Sequence, residues 1–237
     1  MARESLILVP GLMCDQAVWQ QVLPALQGVC HCQVADPGAV ENLSTMAATV
    51  LADAPARFAI AGHSMGARIA LEVMRQAPDR VSRIAVLDTG YLARAGGAAG
   101  DEEARKREAL LDLARTQGVE AMARVWVQGM VHPKRLDDTL LIDAIVAMFA
   151  RRSVDTFACQ IRALLQRPDA CDVLRAIRVP ALVMCGRQDS WAPLAQHEAM
   201  QALIPAARLA VNEEAGHMAP MERPATVAAE LLRWLEA

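Results

Sequence analysis

The feature that most constrains this chain is a nine-residue stretch, Ala59-Ile60-Ala61-Gly62-His63-Ser64-Met65-Gly66-Ala67. It begins as an apolar run and ends in the pattern G-x-S-x-G. An amphipathic pattern follows: Ala67, Ile69, Ala70, Val73, Met74 and Ala77 are apolar, while Arg68, Glu72 and Arg75 are charged. That spacing predicts strand, sharp turn and helix, with Ser64 on the turn. A turn this tight strains the backbone of the residue at its tip. Side chains at the flanking positions would collide with the neighbouring strand and helix, and Gly62 and Gly66 have none. The serine hydroxyl is then held clear of the sheet. The start of the following helix favours negative charge beside it. The bare pentapeptide occurs by chance in roughly one chain in a dozen of this length, so the rest of the chain must support the reading.

The totals narrow the field. With 237 residues, 54% of them hydrophobic, the chain can bury one large core, as an α/β domain with an insertion does. A net charge of −3 without a long basic run gives nucleic acid no electrostatic footing, and aromatics at 3% offer few stacking platforms. No apolar run approaches the ~20 residues that span a bilayer. Leu6-Ile7-Leu8-Val9 ahead of Cys14 resembles a short export signal, but Glu4 balances the charged lead and no small-residue cleavage site follows. A cytoplasmic protein is expected, and its six scattered cysteines then read as free thiols. Cys30-His31-Cys32 has no second pair to complete four metal ligands, so no metal is expected there. Lysine occurs only at Lys106 and Lys134 beside many arginines, a composition that points to a GC-rich bacterial gene.

The chain reads in α/β rhythm. Ser5 to Val9 predict a buried strand. Gln16 to Leu26 predict a helix that Pro24 ends or bends. Val29 to Ala35 predict a second strand, closed by Asp36-Pro37-Gly38. Ser44 is placed to cap a helix running to about Ala54. The serine turn follows, then an apolar strand, Ser82 to Leu87, closing at Asp88. From Thr89 to Val179 no strand is predicted, and the content is helical. The acids at 101–103 favour a helix start and Gly118 a stop. Asp137 or Asp138, Ser153 and Pro168-Asp169 are placed to open three more helices. Strands return at Val179 to Cys185 and Arg208 to Val211, each followed by a helix. The expected fold is a mostly parallel sheet flanked by helices. Residues 1–91 and 171–237 form its core, and residues 92–170 a helical cap inserted before the strand that precedes Asp189.

Serine becomes a useful nucleophile when a histidine takes its proton and a carboxylate orients that histidine. Of five histidines, His217 lies in the loop after the last strand. In a parallel sheet all such loops gather at one edge, so His217 and Ser64 share it. Asp189 and Asp88 both follow strands onto that edge. The chain order Ser64, Asp189, His217 favours Asp189, with Asp88 as the rival.

Four motifs in this order resemble the α/β-hydrolase superfamily, in its compact, helical-capped, esterase-like branch. They are Val9-Pro10-Gly11-Leu12-Met13, Gly62-His63-Ser64-Met65-Gly66, Cys185-Gly186-Arg187-Gln188-Asp189, and Ala215-Gly216-His217-Met218 with Glu222-Arg223-Pro224. The resemblance implies an oxyanion hole of two backbone N–H groups, one from Met65 and one from Leu12 or Met13. The chain departs from the family in having Pro10-Gly11 where His-Gly is frequent, and in its trimmed leading hairpin. Met13, Trp126, Trp191 and Met218 are candidates to line an apolar pocket, together with Met130, Met148 and Phe149; for Trp126 and these other cap residues, packing between helices is the favoured alternative.

The expected function is a serine hydrolase acting on a small, fairly apolar ester or related acyl substrate, with no cofactor. The same three residues serve C–C bond hydrolysis, perhydrolysis or acyl transfer in other proteins of this resemblance. A binding protein of the same fold without turnover is the alternative from another class. The sequence fits a monomer and a homodimer alike.

Overall fold

The computed structural model describes residues 3–237. The elements run β1 (Ser5–Val9), α1 (Leu23–Leu26), β2 (His31–Val34), α2 (Leu43–Asp53), β3 (Phe58–His63), α3 (Met65–Gln76), β4 (Val81–Leu87), α4 (Gly97–Gln117), α5 (Val119–Trp126), α6 (Thr139–Ala150), α7 (Val154–Leu165), α8 (Cys171–Ala176), β5 (Ala181–Gly186), α9 (Leu194–Leu203), β6 (Arg208–Asn212), α10 (Ala219–Glu222) and α11 (Pro224–Glu236). No helix among the described residues is long and apolar enough to cross a membrane.

All six strands pair in parallel, in the order β2-β1-β3-β4-β5-β6. Parallel strands need covering on both faces, and β3 and β5 are buried along their whole lengths. Right-handed crossovers put α1 on one face, because the chain steps from β1 outward to β2. It then reverses, so α2, α3, α8 and α9 cover the other face. The C-terminal α11 joins α1 on the first. The reversal lies between β1 and β3. There the loops leaving two adjacent strands diverge and open a crevice at the C-terminal edge. Ser64 follows β3 and Leu12 follows β1, so the reversal brings them to that crevice.

Several local expectations need correction. Gln16 to Leu26 is not one helix. A 3-10 turn at Gln16–Trp19, capped by Asp15, precedes α1, and Pro24 sits in the first turn of α1, where its missing N–H costs nothing. Asn42 caps α2 in place of Ser44. Its Oδ1 accepts from the Ser44 and Thr45 amides at 2.8 and 3.2 Å. α4 begins at Gly97, one turn ahead of the acids at 101–103. Gly118 ends it as expected. Asp138 and Ser153 cap α6 and α7.

Helices α4 to α7 lie between β4 and β5, and α7 and its junction with α6 are tied to the loop after β1. Arg151 grips Asp15 through Nε and Nη2 at 2.7 and 2.9 Å. Arg152 donates to the Cys14 carbonyl at 3.1 Å and to Asp36 at 2.9 Å. The Gln160 side chain on α7, buried, accepts from the Met13 N–H at 2.9 Å.

The tightest packing surrounds the serine turn. A β-carbon at position 66 would sit 2.1 Å from the Val9 carbonyl oxygen, and one at position 62 would sit 2.3 Å from the Gly66 carbonyl oxygen. Neither neighbour is a side chain that could turn aside. Gly66→Ala is therefore expected to cost more than about 4 kcal/mol, beyond the usual range for a point change. Urea denaturation against wild type measures it, and a loss under about 1 kcal/mol contradicts the packing described.

Candidate active site

Ser64 is the residue between β3 and α3. Its φ of 54° and ψ of −117° place it in a region a non-glycine residue rarely adopts. That conformation costs roughly 1–3 kcal/mol and is held by the packing around it. The Ser64 amide donates to the Leu87 carbonyl at 2.8 Å, which fastens the turn to β4. The hydroxyl, half-buried, lies 2.9 Å from His217 Nε2.

His217 sits in the loop between β6 and α10. Its amide donates to the Met130 carbonyl at 2.6 Å, and its carbonyl accepts from His63 Nε2 at 2.7 Å. The main chain is thus fixed on both sides of the ring. His217 Nδ1 lies 2.8 Å from Asp189 Oδ2. A carboxylate only accepts, so Nδ1 carries the proton and Nε2 the lone pair into which the Ser64 hydroxyl donates.

Asp189 lies in the loop after β5. Its Oδ1 accepts from the Trp191 and Ala192 amides at 2.9 and 3.0 Å. Burial raises its carboxyl, but the facing His217 and these hydrogen bonds outweigh it and hold the group below the usual range. The rival, Asp88, has a different place. Its Oδ1 accepts from the Gly186 amide at 2.8 Å, and its Oδ2, 3.8 Å from His63 Nε2, has no hydrogen-bond partner. Burial first, and the Asp189 charge second, push Asp88 well above the ordinary carboxylate range. The two carboxyls are split: the surroundings favour the charged form of Asp189 against His217 and disfavour that of Asp88.

Three of the other histidines have structural partners. Burial, then His217, push His63 down to about 3, so it is a neutral ring. His197 Nε2 accepts from the Thr89 amide at 3.1 Å. His132 Nδ1 accepts from the Lys134 amide at 3.0 Å. His31 is exposed on β2.

Above the Ser64 hydroxyl lies a cavity of about 430 Å³. Leu12, Met65, Trp126, Trp191 and Met218 line it, with Met130 and Phe149. Trp126 stacks on Trp191 with ring centroids 5.5 Å apart, and Trp191 meets the His217 ring at 4.9 Å. Met13 is a correction. Its side chain is fully buried in the core, outside this lining, and its N–H is engaged by Gln160. Leu12 is then the β1-loop residue left to face the Met65 amide. Met148 is likewise buried outside the lining.

Glu222 was legible as a motif residue but not by its work. Buried, it accepts from the Gly216 amide at 2.8 Å and from the His132 amide at 2.7 Å, and so joins the His217 loop to the inserted helices. Gln160 was missed. Its signal is a single amide on the face of α7 shared by Phe157, Ile161 and Leu164.

The sequence matches the alpha/beta hydrolase family over residues 6–230. The chain belongs to that family. This hydrolase is 25% identical over 227 residues to a pimeloyl-(acyl-carrier protein) methyl ester esterase of Nitrosomonas europaea, covering 90% of this chain and 88% of that one. It is 26% identical over 240 residues to the protein of the same name from Aliivibrio salmonicida, covering 98% and 92%. Among solved structures, a thermophilic esterase from Thermogutta terrifontis superposes with a TM-score of 0.87 at 24% identity, covering 99% of this chain and 90% of that one. The enol-lactonase of Burkholderia xenovorans gives 0.86 at 22% identity, covering 100% and 93%. Both share the fold of this hydrolase.

The two carboxyls separate by substitution. Asp189→Asn is expected to lower kcat about 10³-fold or more, since the amide supports the wrong tautomer. Asp88→Asn is expected to keep activity. A carboxyl raised on folding contributes stability below its unfolded pKa of about 3.9 and loses it as pH rises through the folded value. Asp88→Asn removes that loss, so its melting temperature relative to wild type should climb between pH 4 and pH 8. Thermal melts across that range check it, and a flat difference contradicts a carboxyl raised by burial at Asp88.

Proposed function

We propose that this protein is a serine hydrolase that cleaves a small, fairly apolar ester or related acyl substrate through an acyl-enzyme on Ser64. The observation that carries this is the unbroken relay from the Ser64 hydroxyl through His217 to Asp189, at 2.9 and 2.8 Å, on the wall of a cavity. The relatives named as methyl ester esterases support a carboxylic ester as the bond cleaved.

Ser64 Oγ attacks the carbonyl carbon as its proton passes to His217 Nε2. Asp189, already ionised, holds the imidazole and offsets the positive charge that forms on it. The carbonyl oxygen becomes an oxyanion, and the Met65 and Leu12 amides are the proposed donors to it. One such donor is worth about 3 kcal/mol of barrier. The C–O bond to the alcohol breaks, and His217 returns the proton to the departing oxygen. Water then gives a proton to His217, its oxygen attacks the acyl carbon, and Ser64 leaves with the proton restored. Trp126, Trp191 and Met218 offer the acyl group apolar contact.

Ser64→Ala is expected to lower turnover of short-chain aryl esters by about 10⁴-fold or more. A fluorophosphonate probe is expected to label folded wild type at Ser64 and to leave Ser64→Ala unlabelled. Undiminished turnover in the variant, or an unlabelled Ser64 in wild type, overturns the proposal.

A further inference from the structure

One wall of the Ser64 cavity is cationic. Arg68, Arg107 and Arg167 line it with a single carboxylate, Glu103. Glu103 is already committed. Arg167 holds both its oxygens through Nη1 and Nη2 at 2.6 and 2.8 Å, and Arg107 Nε adds a bond at 3.0 Å. Arg167, only 12% exposed in its side chain, also donates through Nε to the Leu92 carbonyl at 3.3 Å.

Arg68 is different. It lies one helical turn after Ser64 on α3, so its side chain rises on the same face as the nucleophile. Nη1 donates to the same Leu92 carbonyl at 3.1 Å. Among the described residues no carboxylate oxygen lies within salt-bridge distance of it. Nη2 points toward Gly90, where a β-carbon would sit 3.1 Å away, and Gly90 lines the cavity too. Burial and the neighbouring Arg167 lower the Arg68 guanidinium to about 9, with Glu103 and Asp169 offsetting part of this. It remains charged at neutral pH. Arg68 is half-buried, so water meets part of the guanidinium, and the neighbouring Arg167 disfavours its charge. Stacked Trp126 and Trp191 already give this cavity an apolar lining, so a cation without a paired carboxylate has no role there with a wholly apolar ligand.

We propose that Arg68 binds a carboxylate on the substrate, and that the substrate class is the half-ester of a dicarboxylic acid. This rests on the acyl-enzyme reading of Ser64 given above. The carboxylate takes the open side of the guanidinium fork, and the ester carbonyl lies at Ser64. One open fork matches one monoanion. A phosphate dianion would need further donors, and Arg107 and Arg167 are held by Glu103.

The test compares p-nitrophenyl half-esters of the straight-chain diacids from glutarate to suberate with p-nitrophenyl esters of monocarboxylic acids of matched length. Rates in the Ser64→Ala protein are subtracted as background. At least one half-ester is expected to exceed its match about tenfold or more in kcat/KM, as a charge-assisted contact allows. Arg68→Gln is expected to collapse that ratio, mainly through KM, and Arg68→Lys to keep part of it. In wild type the ratio should fall as salt rises. A wild-type ratio near one, a salt-independent ratio, or a ratio unmoved in Arg68→Gln of wild-type melting temperature overturns the proposal. So does competitive inhibition by inorganic phosphate without inhibition by glutarate. The hydrolase reading is judged separately, by fluorophosphonate labelling and by turnover of the monocarboxylic esters.

Discussion

The first turn of α3 lies so close to the end of β1 that position 66 has no room for a side chain. That approach of two backbones organises the whole edge. It forces the chain through Ser64 at positive φ, which turns the hydroxyl out of the sheet and leaves the Met65 amide at the free end of a helix. It also sets the loop after β1 beside that amide. The strain at Ser64 persists because strands on both sides are buried and paired, so relaxing one residue would displace β1, β3 and β4 together.

Beneath the hydroxyl lies a set of buried titratable groups whose environments drive them apart. Asp88 and Asp189 are near enough to repel; Asp189 has two amide donors and a hydrogen-bonded imidazole to hold its charge, Asp88 a single amide. His63 is neutral and serves as a strut, with its Nε2 on the main chain of His217. The ring of His217 is therefore aligned from two directions: through its side chain by Asp189, and through its backbone by the strand that also delivers Ser64.

Much of this could be read before any coordinates. The order of strands and helices, the long helical insertion and the three residues of the relay follow from patterning and from the rule that parallel strands end together. Local features decided by side-chain competition could not. Ser44 and Asn42 both cap helices well, and which does so depends on where the chain leaves β2. The break near Pro24 depends on Asp15, whose carboxylate is shared with Arg151 from 136 residues away. Met13 resembled a pocket residue because it adjoins Leu12, but its positive φ turns it into the core. Arg68 stood in plain view as a charged position on an amphipathic helix. Its meaning required the positions of Glu103 and Arg107 on α4 and of Arg167 in the loop after α7.

The loop after β1 has one more consequence. Met13, Cys14 and Asp15 are each fastened to α6, α7 or the junction between them, through Gln160, Arg152 and Arg151. Such stitching is unlike a hinge. Swinging α6 and α7 outward would tear these polar contacts from the segment that lies beside Ser64. The width of the chamber above Ser64 is thereby coupled to the path of the chain as it leaves β1.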